Sequence, residues 1–229
     1  MTCIPLLPPG APLWFPPVEQ ASEDGVVAAG GDLSPERLVL AYTSGLFPWY
    51  DKDSPILWWS PDPRCVLFPH EVHIPRRLAR DMRRGRFRFT FNAAFEQVIE
   101  RCASTPRPGQ KGTWLIPEMI AAYKRLHALG VARSVEAWEC VQGEKEGGAQ
   151  EILAGGLYGV LLGRVFFGES MFYARPDGSK AAVAALVAAC RELGVEMIDC
   201  QQTTAHMVRF GAREIPRPEF IRRVRKLVG

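Results

Sequence analysis

The sequence predicts an α+β protein, with a small N-terminal α/β domain at 1–64 and a larger sheet domain at 65–229. Three observations predict it. Eleven of the nineteen prolines lie at or before Pro63, beside Trp14, Trp49, Trp58 and Trp59, so the first stretch has a composition of its own. From Ser134 three apolar strands follow one another, at 134–140, 152–162 and 165–172, separated by glycine turns. Helices precede this meander, and a helix, a strand and two helices complete the chain.

Each element has a local cause. Ser34 is a good N-cap, Pro35 suits the first helical position and Gly45 can stop the helix, whose apolar face is Leu38, Ala41 and Tyr42. Two short extended pieces follow, at 47–50 and 56–61. Pro75 opens a helix in which Leu78 and Met82 share a face and arginines fill much of the rest, with Gly85 at its end. From Arg86 the pattern alternates: Phe87, Phe89 and Phe91 point one way, Arg86, Arg88 and Thr90 the other, a strand with a basic outer face. Asn92 is expected to cap the next helix, which carries Phe95, Val98, Ile99 and Cys102 at helical spacing. Another helix runs from Pro117 to Gly130. The glycines at 143–148 and Gly163 supply tight turns. An alanine-rich helix at 179–193 stops at Gly194, a strand follows at 195–200, and helices at 203–210 and 218–228 finish the chain.

Composition excludes several classes. The apolar start lacks a basic region and is broken by prolines, so no secretory signal is expected. The longest apolar run, 181–190, is too short for a bilayer. The protein is therefore expected to be soluble and cytoplasmic. The six cysteines are scattered without a Cys-x-x-Cys, and His70 and His73 have no second ligand pair nearby, so no metal is expected. No P-loop or dinucleotide fingerprint is present. Seven arginines crowd 76–88 against Asp81 alone, and a second basic group closes the chain. Arginine's planar fork suits phosphate, although such a run is often only a solvated face.

The chemistry-bearing positions are carboxylates in apolar strands. Glu169 interrupts Val165-Phe166-Phe167-Gly168, and Asp199 interrupts Met197-Ile198. Burying an unpaired carboxylate is costly, so two in one domain suggest a polar site cut into a core. Asp199 and Gln201, two apart on a strand, should face the same way. Ser170 has no histidine placed to serve it, which argues against a serine hydrolase. The 177–180 segment opens a helix with a hydroxyl and Lys180, either an anion site or an ordinary cap. Trp49 and Trp114, beside proline and glycine, are able to stack an unpaired base.

The ordered set of segments resembles the leucyl/phenylalanyl-tRNA–protein transferase family. It comprises Gly30-Gly31-Asp32-Leu33-Ser34-Pro35-Glu36-Arg37-Leu38, Ala41-Tyr42 with Gly45-Leu46-Phe47-Pro48-Trp49, Trp58-Trp59-Ser60-Pro61-Asp62-Pro63-Arg64, Gly112-Thr113-Trp114, Gly155-Gly156-Leu157-Tyr158-Gly159, Phe167-Gly168-Glu169-Ser170-Met171-Phe172, Ser179-Lys180, Ile198-Asp199-Cys200-Gln201 and His206. The resemblance covers nearly the whole chain. Tyr173-Ala174 departs from it, standing where a Ser-Arg pair is expected. The resemblance implies a GNAT-like acyltransferase domain and an enzyme that moves Leu or Phe, less readily Met, from aminoacyl-tRNA. The acceptor is the α-amine of a protein beginning with Arg or Lys, which then enters N-end-rule degradation. It implies catalysis by Asp199 and Gln201 and an aminoacyl pocket of Glu169, Met171, Phe166, Leu157 and Ile198, with Tyr42 at its edge. Trp49 and Trp114 would hold the terminal adenosine. Arg76, Arg77, Arg80, Arg83, Arg84 and Lys180 would hold tRNA phosphates. No cofactor is expected, and a monomer is. The alternatives are an acetyl-CoA-dependent N-acyltransferase, disfavoured because no glycine-rich pyrophosphate cradle precedes Ser179, and a non-enzymatic RNA-binding module.

Overall fold

A computed structural model describes residues 4–105, 114–142 and 149–229. The expected turn at 143–148 and the Gly112-Thr113 pair lie outside these residues. The elements run β1 (Leu6–Leu7), β2 (Val26–Gly30), α1 (Pro35–Thr43), β3 (Phe47–Pro48), β4 (Leu57–Trp59), β5 (Arg64–Leu67), α2 (Arg76–Arg83), β6 (Phe87–Phe91), α3 (Phe95–Ser104) and α4 (Pro117–Ala128). They continue with β7 (Ala132–Gln142), β8 (Ala149–Leu162), β9 (Val165–Tyr173), α5 (Gly178–Glu192), β10 (Met197–Gln201), α6 (Ala205–Val208), β11 (Arg213–Ile215) and α7 (Arg217–Val228).

Two sheets result. The first has the order β1-β2-β4-β3, and the second β11-β5-β10-β9-β8-β7-β6. In the larger sheet the β9–β10 pair is parallel and the other adjacent pairs are antiparallel. A parallel pair needs a crossover, and α5 supplies it. One face of this sheet shares a core with α3, α4, α7 and the first sheet, through Phe95, Tyr123, Phe220, Trp58 and Tyr42. The other face packs on α5 and α2 through Ala181, Val183, Val187 and Leu78.

The helix caps explain the registers. The Ser34 hydroxyl accepts the Arg37 N–H, and Pro35 occupies the first turn of α1. Gly45 follows α1 at φ +80, and a Cβ there would meet Ile221 Cδ1 at 2.2 Å, so the glycine also lets α1 abut α7. Asn92 does not cap α3. It sits at φ +59, and its side-chain oxygen accepts the Ser134 N–H at 3.0 Å, which ties it to β7. The outer face of β6 is basic only in composition. Arg86 donates to Glu139, and Arg88 forks onto Glu151 at 2.5 Å through both nitrogens, so these charges are neutralised. Phe91 extends past the core and is 48% exposed. Strands β1, β2, β5 and β11 were not expected from the sequence. β10 begins at Met197 instead of Val195, and α6 is a single turn.

Candidate active site

The site opens where β9 and β10 part. Their pairing ends at Asp199 with Phe167, although β9 runs on to Tyr173. Both strands bulge at this level. On β9, Gly168 pairs with Gly159 and Ser170 with Tyr158, so Glu169 has no residue opposite it in β8. On β10, Asp199 pairs with Val66 and Gln201 with Cys65, so Cys200 is the extra residue. Bulges redirect side chains at such places. The cleft between the strands is a cavity of about 490 Å³.

Leu157, Phe166, Met171 and Ile198 give this cavity apolar walls, and Trp49 and Trp114 also line it. Trp49 is fixed from behind: Trp59 Nε1 donates to its carbonyl at 2.6 Å, and the two rings lie 5.3 Å apart. The polar end of the cavity holds Glu169, Asp199 and Gln201. Tyr42 is not at the cavity edge as expected. It is fully buried beneath Glu169, because α1 packs against the sheet at this point.

Glu169 is the centre of a network. The Tyr42 hydroxyl lies 2.8 Å from Oε1, the Tyr123 hydroxyl 2.7 Å from Oε2, and the two hydroxyls 2.5 Å from each other. Gln201 Nε2 donates to Oε1 at 2.8 Å. Three oxygen groups thus meet pairwise, and the two tyrosines supply two protons. Protonation of Glu169 would supply a third and close the ring. Burial pushes the Glu169 carboxyl up to about 7, and the nearby Asp199 charge adds to this, against the pull of the tyrosine and Gln201 hydrogen bonds. Burial and the Glu169 charge push both tyrosines well above their usual range, so they keep their protons.

Asp199 is bound differently. Both of its oxygens accept from Arg64, at 2.8 and 2.6 Å, and Oδ1 also accepts the Gln201 main-chain N–H at 2.9 Å. Asp199 therefore holds Gln201 by its backbone, while Glu169 holds its side chain. Uniform alternation would have given both residues of β10 the same surroundings; the bulge and the Gln201 φ of +61 separate them.

Outside the cavity, α2 presents Arg76, Arg77, Arg80, Arg83 and Arg84, all exposed. It packs on α5, whose Ser179, Val183 and Leu186 line the cavity. Lys180 donates to Asp177 at 2.6 Å. Asp177 does not cap α5 with its side chain and adopts φ +66. His206 also lines the cavity, its Nε2 buried without a partner among the described residues. Burial, with Lys180 and Arg209 nearby, lowers its pKa and keeps it neutral at pH 7. Among the described residues no cluster could hold a metal ion, and no helix is long and apolar enough to cross a membrane.

Sequence reasoning passed over Tyr123, Arg64 and His206 as site residues. Tyr123 shares the core-facing stripe of α4 with Met119, Ala122 and Leu126, which hides its hydroxyl's purpose. Arg64 ends the Trp58–Arg64 run, and an arginine opening an otherwise apolar strand was the signal that could have found it.

The structure is an α+β fold with an apolar cavity that ends in a carboxylate–amide network. The chain belongs to the leucyl/phenylalanyl-tRNA–protein transferase family. The family's model matches residues 66–225, and that of its N-terminal domain residues 31–62. The chain is 58% identical to the leucyl/phenylalanyl-tRNA–protein transferase of an Anaeromyxobacter species, over 92% of this chain and 85% of that one. It is 56% identical to that of Oleidesulfovibrio alaskensis, over 91% and 82%. A solved structure, L-PGS from Bacillus licheniformis, aligns with a TM-score of 0.40 at 12% identity over 88% of this chain and 72% of that one, a likeness too loose to carry an argument.

Proposed function

We propose that this protein transfers Leu or Phe, less readily Met, from aminoacyl-tRNA to the α-amine of proteins beginning with Arg or Lys, marking them for N-end-rule degradation in the cytoplasm. It would work as a monomer without a cofactor, on a GNAT-like domain at 65–229 preceded by a small domain at 1–64. One observation carries the reading: an apolar cavity of about 490 Å³ that ends in the Glu169–Gln201 pair, in a chain of this family. Flexible Met171 among Leu157, Phe166 and Ile198 suits a recess that takes both branched and aromatic side chains. Trp49 and Trp114, which line the cavity, would stack the terminal adenosine. The exposed arginines of α2, with Lys180, would take phosphates without reading sequence.

The aminoacyl ester is already activated, so the chemistry needs placement more than a strong base. The acceptor's amine, with a reference pKa of about 7.7–8.0, is partly neutral near pH 7.5. Its nitrogen attacks the ester carbonyl carbon. The new C–N bond forms, the C–O bond to the ribose breaks, and the amine's surplus proton ends on the released ribose hydroxyl. Gln201 gives its NH2 to Glu169, which leaves its carbonyl oxygen to accept an N–H of the incoming amine. Asp199 keeps Gln201 in place.

The test mixes the protein with charged Phe-tRNA and an Arg-initiated peptide. Phenylalanyl-peptide should accumulate, and acetyl-CoA should not be consumed. No peptide-bond formation at moderate salt would refute the reading.

A further inference from the structure

We propose that Arg64 is a positioning residue of the transfer reaction. It acts through Asp199 on Gln201, and Asp199 anchors Gln201 without accepting the amine's proton. The proposal rests on the transfer reading above and assigns the work of its polar groups.

The geometry carries it. Arg64 and Asp199 are both 0% exposed. The guanidinium meets the carboxylate fork to fork, Nε on Oδ1 and Nη2 on Oδ2, which fixes the carboxylate plane as a single hydrogen bond could not. The guanidinium is itself clamped: its carbon lies 4.7 Å from the Phe47 ring centre and 4.4 Å from that of Phe220. These rings come from β3 and α7, so two distant parts of the chain set the angle of one carboxylate. With the Gln201 N–H also on Oδ1, the carboxylate already accepts three N–H bonds, and its charge faces a cation.

Buried ion pairs are a poor way to gain stability, since apolar residues of equal volume often do as well. This pair has another effect. Gln201 adopts φ +61, which a side chain with a Cβ rarely takes, and it is held there by the Asp199 oxygen two residues back. That conformation delivers the Gln201 amide to Glu169 across the cleft. The chain of constraint therefore runs from Phe47 and Phe220 through Arg64 and Asp199 to Gln201, the group that meets the amine.

The experiment compares Arg64→Lys, Arg64→Ala, Asp199→Asn, Asp199→Ala and the Arg64→Ala/Asp199→Ala and Arg64→Ala/Asp199→Asn double variants with the unaltered protein. Single-turnover transfer from Phe-tRNA to an Arg-initiated peptide is measured with Phe-tRNA affinity and thermal stability. Loss of placement costs on the order of 100-fold in rate, so Arg64→Ala and Asp199→Ala should each fall by about that much at saturation, with Phe-tRNA affinity within about twofold. Residues acting as a unit are not additive, so the double alanine variant should be no slower than either single one. Asp199→Asn sets an NH2 against Nη2 of the still buried Arg64 and breaks the fork, so it should be about as slow as Asp199→Ala, whereas an Arg64→Ala/Asp199→Asn variant, free of that clash and still unable to take a proton, should be no slower than Arg64→Ala. Arg64→Lys keeps the charge without the fork and should fall between Arg64→Ala and the parent.

An Arg64→Ala/Asp199→Asn variant at least tenfold slower than Arg64→Ala would restore Asp199 as proton acceptor and overturn the proposal. So would an Arg64→Ala variant that loses thermal stability but transfers at the parent rate per folded molecule. If Arg64→Ala does not fold, Arg64→Lys decides: a parent rate per folded molecule overturns the proposal, and a lower rate with unchanged Phe-tRNA affinity supports it. An unaltered protein that transfers nothing sinks the functional reading and this proposal together, whereas an active one indifferent to Arg64 sinks this proposal alone.

Discussion

Glu169 gathers more of the site's physics than any other side chain. Burial pushes its carboxyl up to about 7 in the folded protein, against an ordinary 4.5. Between those two values the folded state keeps a proton that the unfolded chain has released. Stability is therefore fully present below about pH 4.5 and falls as pH rises through 7, by an amount on the order of 1–3 kcal/mol. Glu169→Gln replaces the titrating group by a neutral one and should flatten this slope. Urea unfolding at several pH values from 5 to 8 checks it, and an equally steep decline in the variant would place the cause elsewhere. The same count of protons governs Tyr42. Tyr42→Phe opens the three-membered ring, leaves the Tyr123 hydroxyl and Oε1 each one partner short, and should destabilise the protein by about 1–2 kcal/mol in the same assay. Much of this was hidden in the sequence. Glu169 declared itself as a charge among apolar neighbours. Tyr123 did not, because a tyrosine on a core stripe has the same sequence pattern whether or not its hydroxyl is used.

At the scale of elements, the bulges on β9 and β10 build the site, and they were the least legible part. A bulge changes which face a residue takes without changing the residues, so Asp199 and Gln201 read as one uniform strand. Gly168 beside Glu169 was the one local hint, since glycine within a strand often marks a bulge. The long strands, the α1 cap and the α3 stripe were legible because each rests on interactions within its own segment. Strands β1, β2, β5 and β11 were not, because Leu6-Leu7, Val26–Gly30, Arg64–Leu67 and Arg213–Ile215 are too short or too small to show alternation and exist by pairing with distant partners. Gly159 tests the importance of the β9 bulge. A Cβ there would meet the Phe167 carbonyl oxygen at 2.2 Å and the Phe166 ring at 2.6 Å. Gly159→Ala must push β9 away from β8 just where Glu169 is displaced, at a cost of about 1–3 kcal/mol. Because Phe166 also walls the cavity, transfer from Phe-tRNA should fall further than the loss of folded protein explains, which is read by normalising the rate to the folded fraction.

Over the whole molecule, a net charge of +3 conceals an uneven field. The arginines of 76–88 read as one basic segment, but folding divides them. Arg86 and Arg88 are committed to Glu139 and Glu151, while the arginines of α2 face solvent, with Asp81 3.8 Å from Arg80 and the Asp177 charge near Arg77. Phosphate attraction should therefore reside on α2. Each phosphate that the protein ceases to neutralise lowers the slope of log affinity against log salt, by roughly 0.7 on a single strand and roughly 0.9 on a duplex. Reversing Arg76, Arg80 and Arg83 to Glu should weaken Phe-tRNA binding and flatten that slope by about 2–3, whereas Arg88→Ala, which removes an already paired charge, should change it by less than about 0.5. Fluorescence anisotropy across a range of salt concentrations reads both. Transfer from phenylalanyl-adenosine, which carries no tRNA body, separates long-range attraction from placement. The α2 reversals should slow transfer from Phe-tRNA far more than transfer from this minimal donor, since no residue of α2 lines the cavity. Equal slowing of both donors would mean that the reversals had disturbed α5 and the cavity wall, and that the phosphate site lies on another face.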